Sequence, residues 1–274
     1  MPYPALYSGP VGRFPEGYTS ITHADAIDGS AWSFGIRKLP SGATLQVTAG
    51  RECAFVLMQG EASVSFDGKS TSLRRKDVFS DPPFALHLGP KSMAEITAGA
   101  EGAEFAEVHA PNSVDFAARL FSPEDSKPEY RGTGLVRNAA LRNVRLIFDQ
   151  KLRPESNLVI GEVVNYPGRW SSYPPHHHDQ PEIYHYRFTD PAGYGHAEVG
   201  NDVLKVRTGD TILIPPGCDH AQVAAPGYGM YYLWIIRHLP GNPYTGFTFA
   251  PEHTWTLNPE QQGWSPSELP PGLS

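Results

Sequence analysis

The feature that most limits how this chain can fold is that its two halves carry the same punctuation 133 residues apart. Gly60 matches Gly193, the turn Asp67-Gly68 matches Gly200-Asn201, Asp77 matches Asp210, Pro82-Pro83 matches Pro215-Pro216, and His87 matches His220. Allowing three extra residues before Gly193, Glu52 falls on Glu182. Turn formers recurring at a fixed period mark a duplicated unit. The runs between them, such as 44–48, 54–57 and 62–66, have the length and residue types of strands. With 27 Gly and 27 Pro in 274 residues there is little room for long helices, so the expected fold class is all-β. The polar stretch 122–134, with two Pro and two Gly, is read as the join, giving domains 1–133 and 134–274.

Charge and composition remove several functions. A net charge of -7 without a basic stripe argues against a nucleic-acid partner, since a phosphate backbone needs a concentrated Lys/Arg face. No stretch approaches the roughly 20 apolar residues of a membrane span, and the first residues lack the charged and apolar regions of a leader. Cys53 and Cys218 are too few for a disulfide framework and suit a reducing compartment, so the cytoplasm is expected. The stretch 68–71 has the residues that end a phosphate loop, but it sits at a hairpin turn, and no glycine fingerprint occurs in a nucleotide-binding context.

Histidine use is uneven: six of the eleven lie between His176 and His220. On a strand, His176, His178 and Glu182 leave the same face while His177 points the other way. His220 follows a predicted strand bounded by Gly209-Asp210 and Pro215-Pro216-Gly217. Three imidazoles and one carboxylate are the donors that a single divalent metal ion takes, Zn or Mn first and Fe also compatible, with positions left open for a substrate. In the first half, Gln46 and Thr48 stand where His176 and His178 stand in the second. Only Glu52 and His87 remain there, so that half is expected to lack a complete site and His87 to be a packed histidine.

The spacing of Gly168, His176, His178 and Glu182, then Gly209, Pro215, Gly217 and His220, resembles the paired motifs of the cupin superfamily. The implied architecture is a bicupin, two tandem β-barrels of the double-stranded β-helix type. The runs WSSYPPHHHD, EIYHYR and IPPGCDH, with WSFGIRKLPSG and RGTG in the first half, narrow the resemblance to the 5-deoxy-glucuronate isomerase family of inositol catabolism. Two features depart from it: a shortened connection between Asp179 and Glu182, and His185 where a Tyr is usual. The resemblance implies a metal-dependent aldose-ketose isomerase that converts 5-deoxy-glucuronate to 5-dehydro-2-deoxy-gluconate, with a small-molecule uronate as partner. Such chemistry needs a positioned acid or base. Tyr184 and Tyr186 share the parity of Glu182 and are candidates, as is Glu162 on the preceding strand. Two other readings stay open: a cupin dioxygenase with iron at the same ligands, and a non-catalytic sugar-binding cupin. A homo-oligomer formed by strand exchange is compatible with the duplicated fold, and the Pro-rich tail 251–274 is free to wrap the other half.

Overall fold

The computed structural model describes residues 5–10, 13–22 and 32–267. Among these residues the chain is all-β, as expected, with helix confined to the short 3-10 segments Val136–Asn138 and Pro251–Leu257. Of the Pro-rich tail, 268–274 lie outside the described residues, and Pro251–Leu257 packs beside the strand Trp170–His177.

The first half is one eight-stranded antiparallel sheet built around two long strands, Glu52–Phe66 and Met93–Ala110, which pair with each other along most of their length. Their ladder shifts register between Leu57 and Gln59 and again between Gly60 and Ala62. Gly60 permits this bend: its φ is +104°, and a Cβ there would stand 2.2 Å from the Gly102 carbonyl oxygen. Strand alternation then divides the side chains. Cys53, Phe55, Leu57, Leu86, Leu88 and Phe105 pack together on one face, and Ala54, Val56, Met58, Ala106 and Val108 are buried on the other.

The second half opposes a seven-stranded sheet to a five-stranded one. Between them lies an aromatic-rich core that includes Val163, Tyr184, Tyr186, Val206, Ile212 and Tyr232. The repeat read from the sequence is visible in the hairpins: Phe66 pairs with Lys69 in one half and Val199 with Asp202 in the other. The strand Pro128–Arg131 already pairs with Arg142–Phe148 of the seven-stranded sheet, ahead of the expected join at 133. At the far edge of that sheet, Ala5–Tyr7 pairs with Thr211–Ile214.

The two halves share a third core, in which Phe34, Ala54 and Val56 meet Phe148, Ile160, Ile183, Leu233 and Ile235. Glu162 sits at this seam rather than in the interior of the second half. It pairs with Leu233 across the ladder, and one residue along the strand Val163 faces the opposite way into the core between the sheets. Its carboxylate is fully buried and accepts hydrogen bonds from Arg75 Nη2 at 2.7 and 2.9 Å, Arg145 Nη1 at 2.9 Å and the Tyr231 hydroxyl at 2.9 Å. Both guanidiniums also donate to the Asp81 carbonyl, at 3.0 and 2.8 Å.

Glu52 and His87 face the seam as well. A strand exchanges its faces with every odd shift, so the three-residue offset used to match Glu52 with Glu182 exchanges the face for Glu52, while His87, matched to His220 without an offset, meets Phe148 at the seam all the same. Glu52 accepts from His87 Nε2 at 2.8 Å, from Ser156 Oγ at 2.5 Å and from the Asn157 amide at 2.9 Å, while the His87 ring stacks on Phe148 with centroids 4.4 Å apart. The pair therefore ties one half to the other, while the face toward the interior of the first half carries a different polar group, Glu107 with Arg37 at 2.7 Å and His109 at 2.7 Å, beside Cys53, Phe55 and Phe105.

Replacing Glu162 by Gln leaves two buried guanidiniums without their counter-charge. We expect a loss of about 3–5 kcal/mol in unfolding free energy, read as a lower urea midpoint with little change in slope; an unchanged midpoint refutes the assignment of Glu162 to the seam.

Candidate metal centre

Glu182 enters the core between the sheets because it begins the strand Glu182–Phe188, on which Glu182, Tyr184 and Tyr186 alternate with Ile183 at the seam. His220 begins the strand His220–Ala224, and His176 is its direct cross-strand partner. His178 lies just past the end of the strand Trp170–His177. Donor atoms of His178, Glu182 and His220 all lie within 4.8 Å of one another, and all three residues are buried. His178 Nε2 is 3.1 Å and His220 Nε2 3.3 Å from the same oxygen, Glu182 Oε2. His176 stands beside this group, its ring centroid 4.4 Å from that of His220. His177 turns away to Asp219, 2.8 Å from its Nδ1.

The donor set fits a cation. The Cys218 carbonyl lies 3.0 Å from His220 Nδ1, so the neutral ring carries its proton there and presents a lone pair at Nε2. That nitrogen is buried without a hydrogen bond, facing a carboxylate that can only accept. Two opposed acceptors repel unless a proton or a metal ion lies between them. Burial pushes the Glu182 carboxyl up, but its hydrogen bond with His178 outweighs that and holds the group below the usual carboxylate range. Burial, reinforced by His220, pulls His176 down to about 3, so it stays a neutral nitrogen donor near neutral pH.

The group borders a cavity of about 230 Å³, on whose wall lie His176, His178, Glu182, Tyr184, Tyr232 and Trp234. Gly161 makes room for the indole, since a Cβ there would meet the Trp234 ring at 2.3 Å. Of the candidate acid-base residues, Tyr184 reaches this wall. Tyr186 does not, and its hydroxyl donates instead to Gln222 Oε1 at 2.5 Å. Burial raises both phenols well above the usual tyrosine range, so both stay protonated. Glu162, at the seam, is also absent from the cavity wall.

A match to the KduI/IolB family spans residues 11–256. The chain belongs to the KduI/IolB family. Relatives of the family named 5-deoxy-glucuronate isomerase include one from Geobacillus kaustophilus, 30% identical over 82% of this chain and 85% of its own length. Another from Bacillus velezensis is 26% identical over 88% of each chain. Among solved structures, an IolB-like protein from Salmonella typhimurium superposes with a TM-score of 0.79 at 24% identity, covering 92% of this chain and 99% of its own. Oxalate decarboxylase from Lactobacillus farciminis superposes with 0.63 at 15% identity, covering 89% and 87%. Likeness at that identity fixes the fold, that of the cupins.

Within this KduI/IolB member, sequence reading missed the roof of the cavity. The segment 242–247 crosses over the donors, with the Tyr244 ring 4.9 Å from His178 and the Phe247 ring 4.3 Å from His176. It has no strand period, so nothing in its pattern tied it to residues some 65 positions earlier. Only its two rings, Tyr244 and Phe247, gave a signal. Arg131 and Arg142, which also line the cavity, were missed for a related reason: each belongs to a strand whose pairing becomes visible only in the fold.

The depressed groups set a pH response of the metal-free protein. For both His176 and Glu182 the folded state binds protons less readily than the unfolded chain, so stability is full above the unfolded values of 6.5 and 4.5 and is lost as pH falls toward about 3 and about 2. Thermal melts of the metal-free protein should therefore decline from just below pH 6.5, and His176→Asn should flatten the upper part of that decline. A melting temperature independent of pH between 7 and 4 would contradict this.

Proposed function

We propose that this protein is a metal-dependent aldose-ketose isomerase that converts 5-deoxy-glucuronate to 5-dehydro-2-deoxy-gluconate, working in the cytoplasm as a step of inositol breakdown. The observation that carries the reading is the His178–Glu182–His220 group opening onto a small cavity with a protonated phenol on its wall. The name shared by the curated relatives supplies the substrate. At about 230 Å³ the cavity falls below the roughly 300–1,000 Å³ of sites for larger ligands, which favours a small molecule.

In this reading His178, Glu182 and His220 hold one divalent ion, with His176 as the fourth donor. Imidazole and carboxylate together suit Zn, Mn or Fe, and Mn(II) centres are named for Bacillus subtilis oxalate decarboxylase, whose fold is similar. When bound, the ion supplies Lewis-acid polarisation of carbonyl and hydroxyl oxygens.

The isomerisation moves one hydrogen from C2 to C1 and one from the C2 hydroxyl to the former aldehyde oxygen, with no net oxidation. The protein has to favour the charge that develops on oxygen and carry protons over a short distance. Tyr184 can donate its hydroxyl proton to an oxygen in the cavity, and burial keeps that proton in place near neutral pH. Tyr244, also raised by burial, offers a second donor from the roof. Trp234, Tyr232 and Phe247 wall the site with rings and limit the water that reaches a reactive enediol-like species.

Incubating metal-loaded protein anaerobically with 5-deoxy-glucuronate should give the keto product by NMR. Chelation should abolish turnover, and His178→Ala should lower both ion content and kcat, the latter by at least about 100-fold, in keeping with loss of a stabilising group worth about 2.7 kcal/mol or more. Oxygen consumption on substrate addition would favour a dioxygenase instead. Tyr184→Phe should lower kcat by about 100-fold or more while ion content is kept; full activity in that variant removes Tyr184 from the mechanism.

A further inference from the structure

On the sheet that carries Glu182, three and four strands along from it, the strands Arg142–Phe148 and Pro128–Arg131 place Arg142 and Arg131 directly opposite each other in the ladder. Like charges in that position repel. Both side chains nevertheless line the same cavity as His176, His178 and Glu182. Arg131 is offset by Glu129, whose Oε2 accepts from its Nε and Nη2 at 2.9 and 2.8 Å. Arg142 has no such partner. Among the described residues no carboxylate lies within ion-pair distance of it, and the hydrogen bond found is from Nη1 to the Ala140 carbonyl at 2.9 Å.

The wall holds two carboxylates. Glu182 is committed to the metal donors, and Asp149 accepts the Lys151 and Leu152 amides at 3.0 Å on its Oδ1. The guanidinium of Arg142 thus reaches the cavity with most of its donors unused and a second positive charge beside it. A guanidinium presents a planar fork that matches a carboxylate with two parallel hydrogen bonds. An anionic group at this end would remove the Arg–Arg repulsion that the free protein carries.

We infer that Arg142, assisted by Arg131, is the clamp for the substrate carboxylate, and that it holds a uronate with its carboxylate at the arginine end and its aldehyde end toward His178 and Glu182. This rests on the isomerase reading above and deepens it: the acid end of the substrate becomes the specificity handle, and the cavity selects a uronate over the corresponding neutral sugar. The role is positioning at a distance from the reacting carbons, so its loss falls on KM more than on kcat.

The test compares wild type, Arg142→Gln and Arg142→Lys, all metal-loaded and checked for equal ion content and melting temperature. With 5-deoxy-glucuronate, Arg142→Gln should raise KM by about 30-fold or more and lower kcat by less than about 3-fold, the range for loss of a charge-assisted hydrogen bond. Arg142→Lys should recover part of the KM. A readout free of turnover is calorimetric binding of D-glucuronate against D-glucose: the wild type should prefer the acid by at least about 10-fold, and Arg142→Gln should erase that preference. Equal binding of acid and neutral sugar by the wild type, or an undiminished preference in Arg142→Gln, overturns the clamp. Absence of any keto product with the Arg142-dependent preference intact overturns the isomerase reading and leaves the clamp standing.

Discussion

A strand has two faces, and the architecture of this protein depends on the seven-stranded sheet having both of them buried. One face looks toward the five-stranded sheet and carries Glu182, Tyr184, Tyr186 and Val163. The other packs on the first half and carries Ile183, Glu162 and Leu233. Each residue step along such a strand moves a side chain from chemistry to scaffolding, because the period of two admits no intermediate position. Ionisable groups on the seam face need partners, since an isolated buried charge costs several kcal/mol. Arg75, Arg145 and Tyr231 meet that need for Glu162, and His87, Ser156 and Asn157 meet it for Glu52.

The same constraint separates what could be read in the sequence from what could not. His178, Glu182 and His220 were legible because donor chemistry and spacing agree, and because parity from Glu182 onward holds along an unbroken strand. The all-β class and the duplication followed from turn residues, which act locally. Glu162 was misplaced because its strand is apolar on both faces, so hydrophobic alternation carries no mark of which side a carboxylate takes. Glu52 and His87 turn to the seam, a direction that a match of residue types across the repeat does not fix, since a strand exchanges its faces at every step. The strand Trp170–His177 shifts register between Ser171 and His176, so a period-two reading back from His176 does not hold there.

Arg142 and Tyr244 illustrate a second kind of illegibility. Neither was given a role by the sequence motifs, and each reaches the cavity through a pairing or a loop path that links distant segments. A sequence reveals donors that cluster, whereas the far wall of a cavity is assembled from single residues on several strands. Among the described residues, none before Arg131 lies on that wall, yet the first half supplies the apolar surface against which the sheet bearing Glu182 is fixed. Its role is to hold one face of that sheet still while the other presents groups to a ligand.

The short strand Ala5–Tyr7 has a bearing on how the molecule is made. Its partner, Thr211–Ile214, is some two hundred residues away, and that partner also flanks Glu182 in the ladder. A ribosome releases this segment long before its docking place exists, so the strand waits unpaired until residues 211–214 have emerged. Closure of so long a loop comes late and slowly, which makes the outer edge of the sheet behind the donors among the last parts of the fold to be completed.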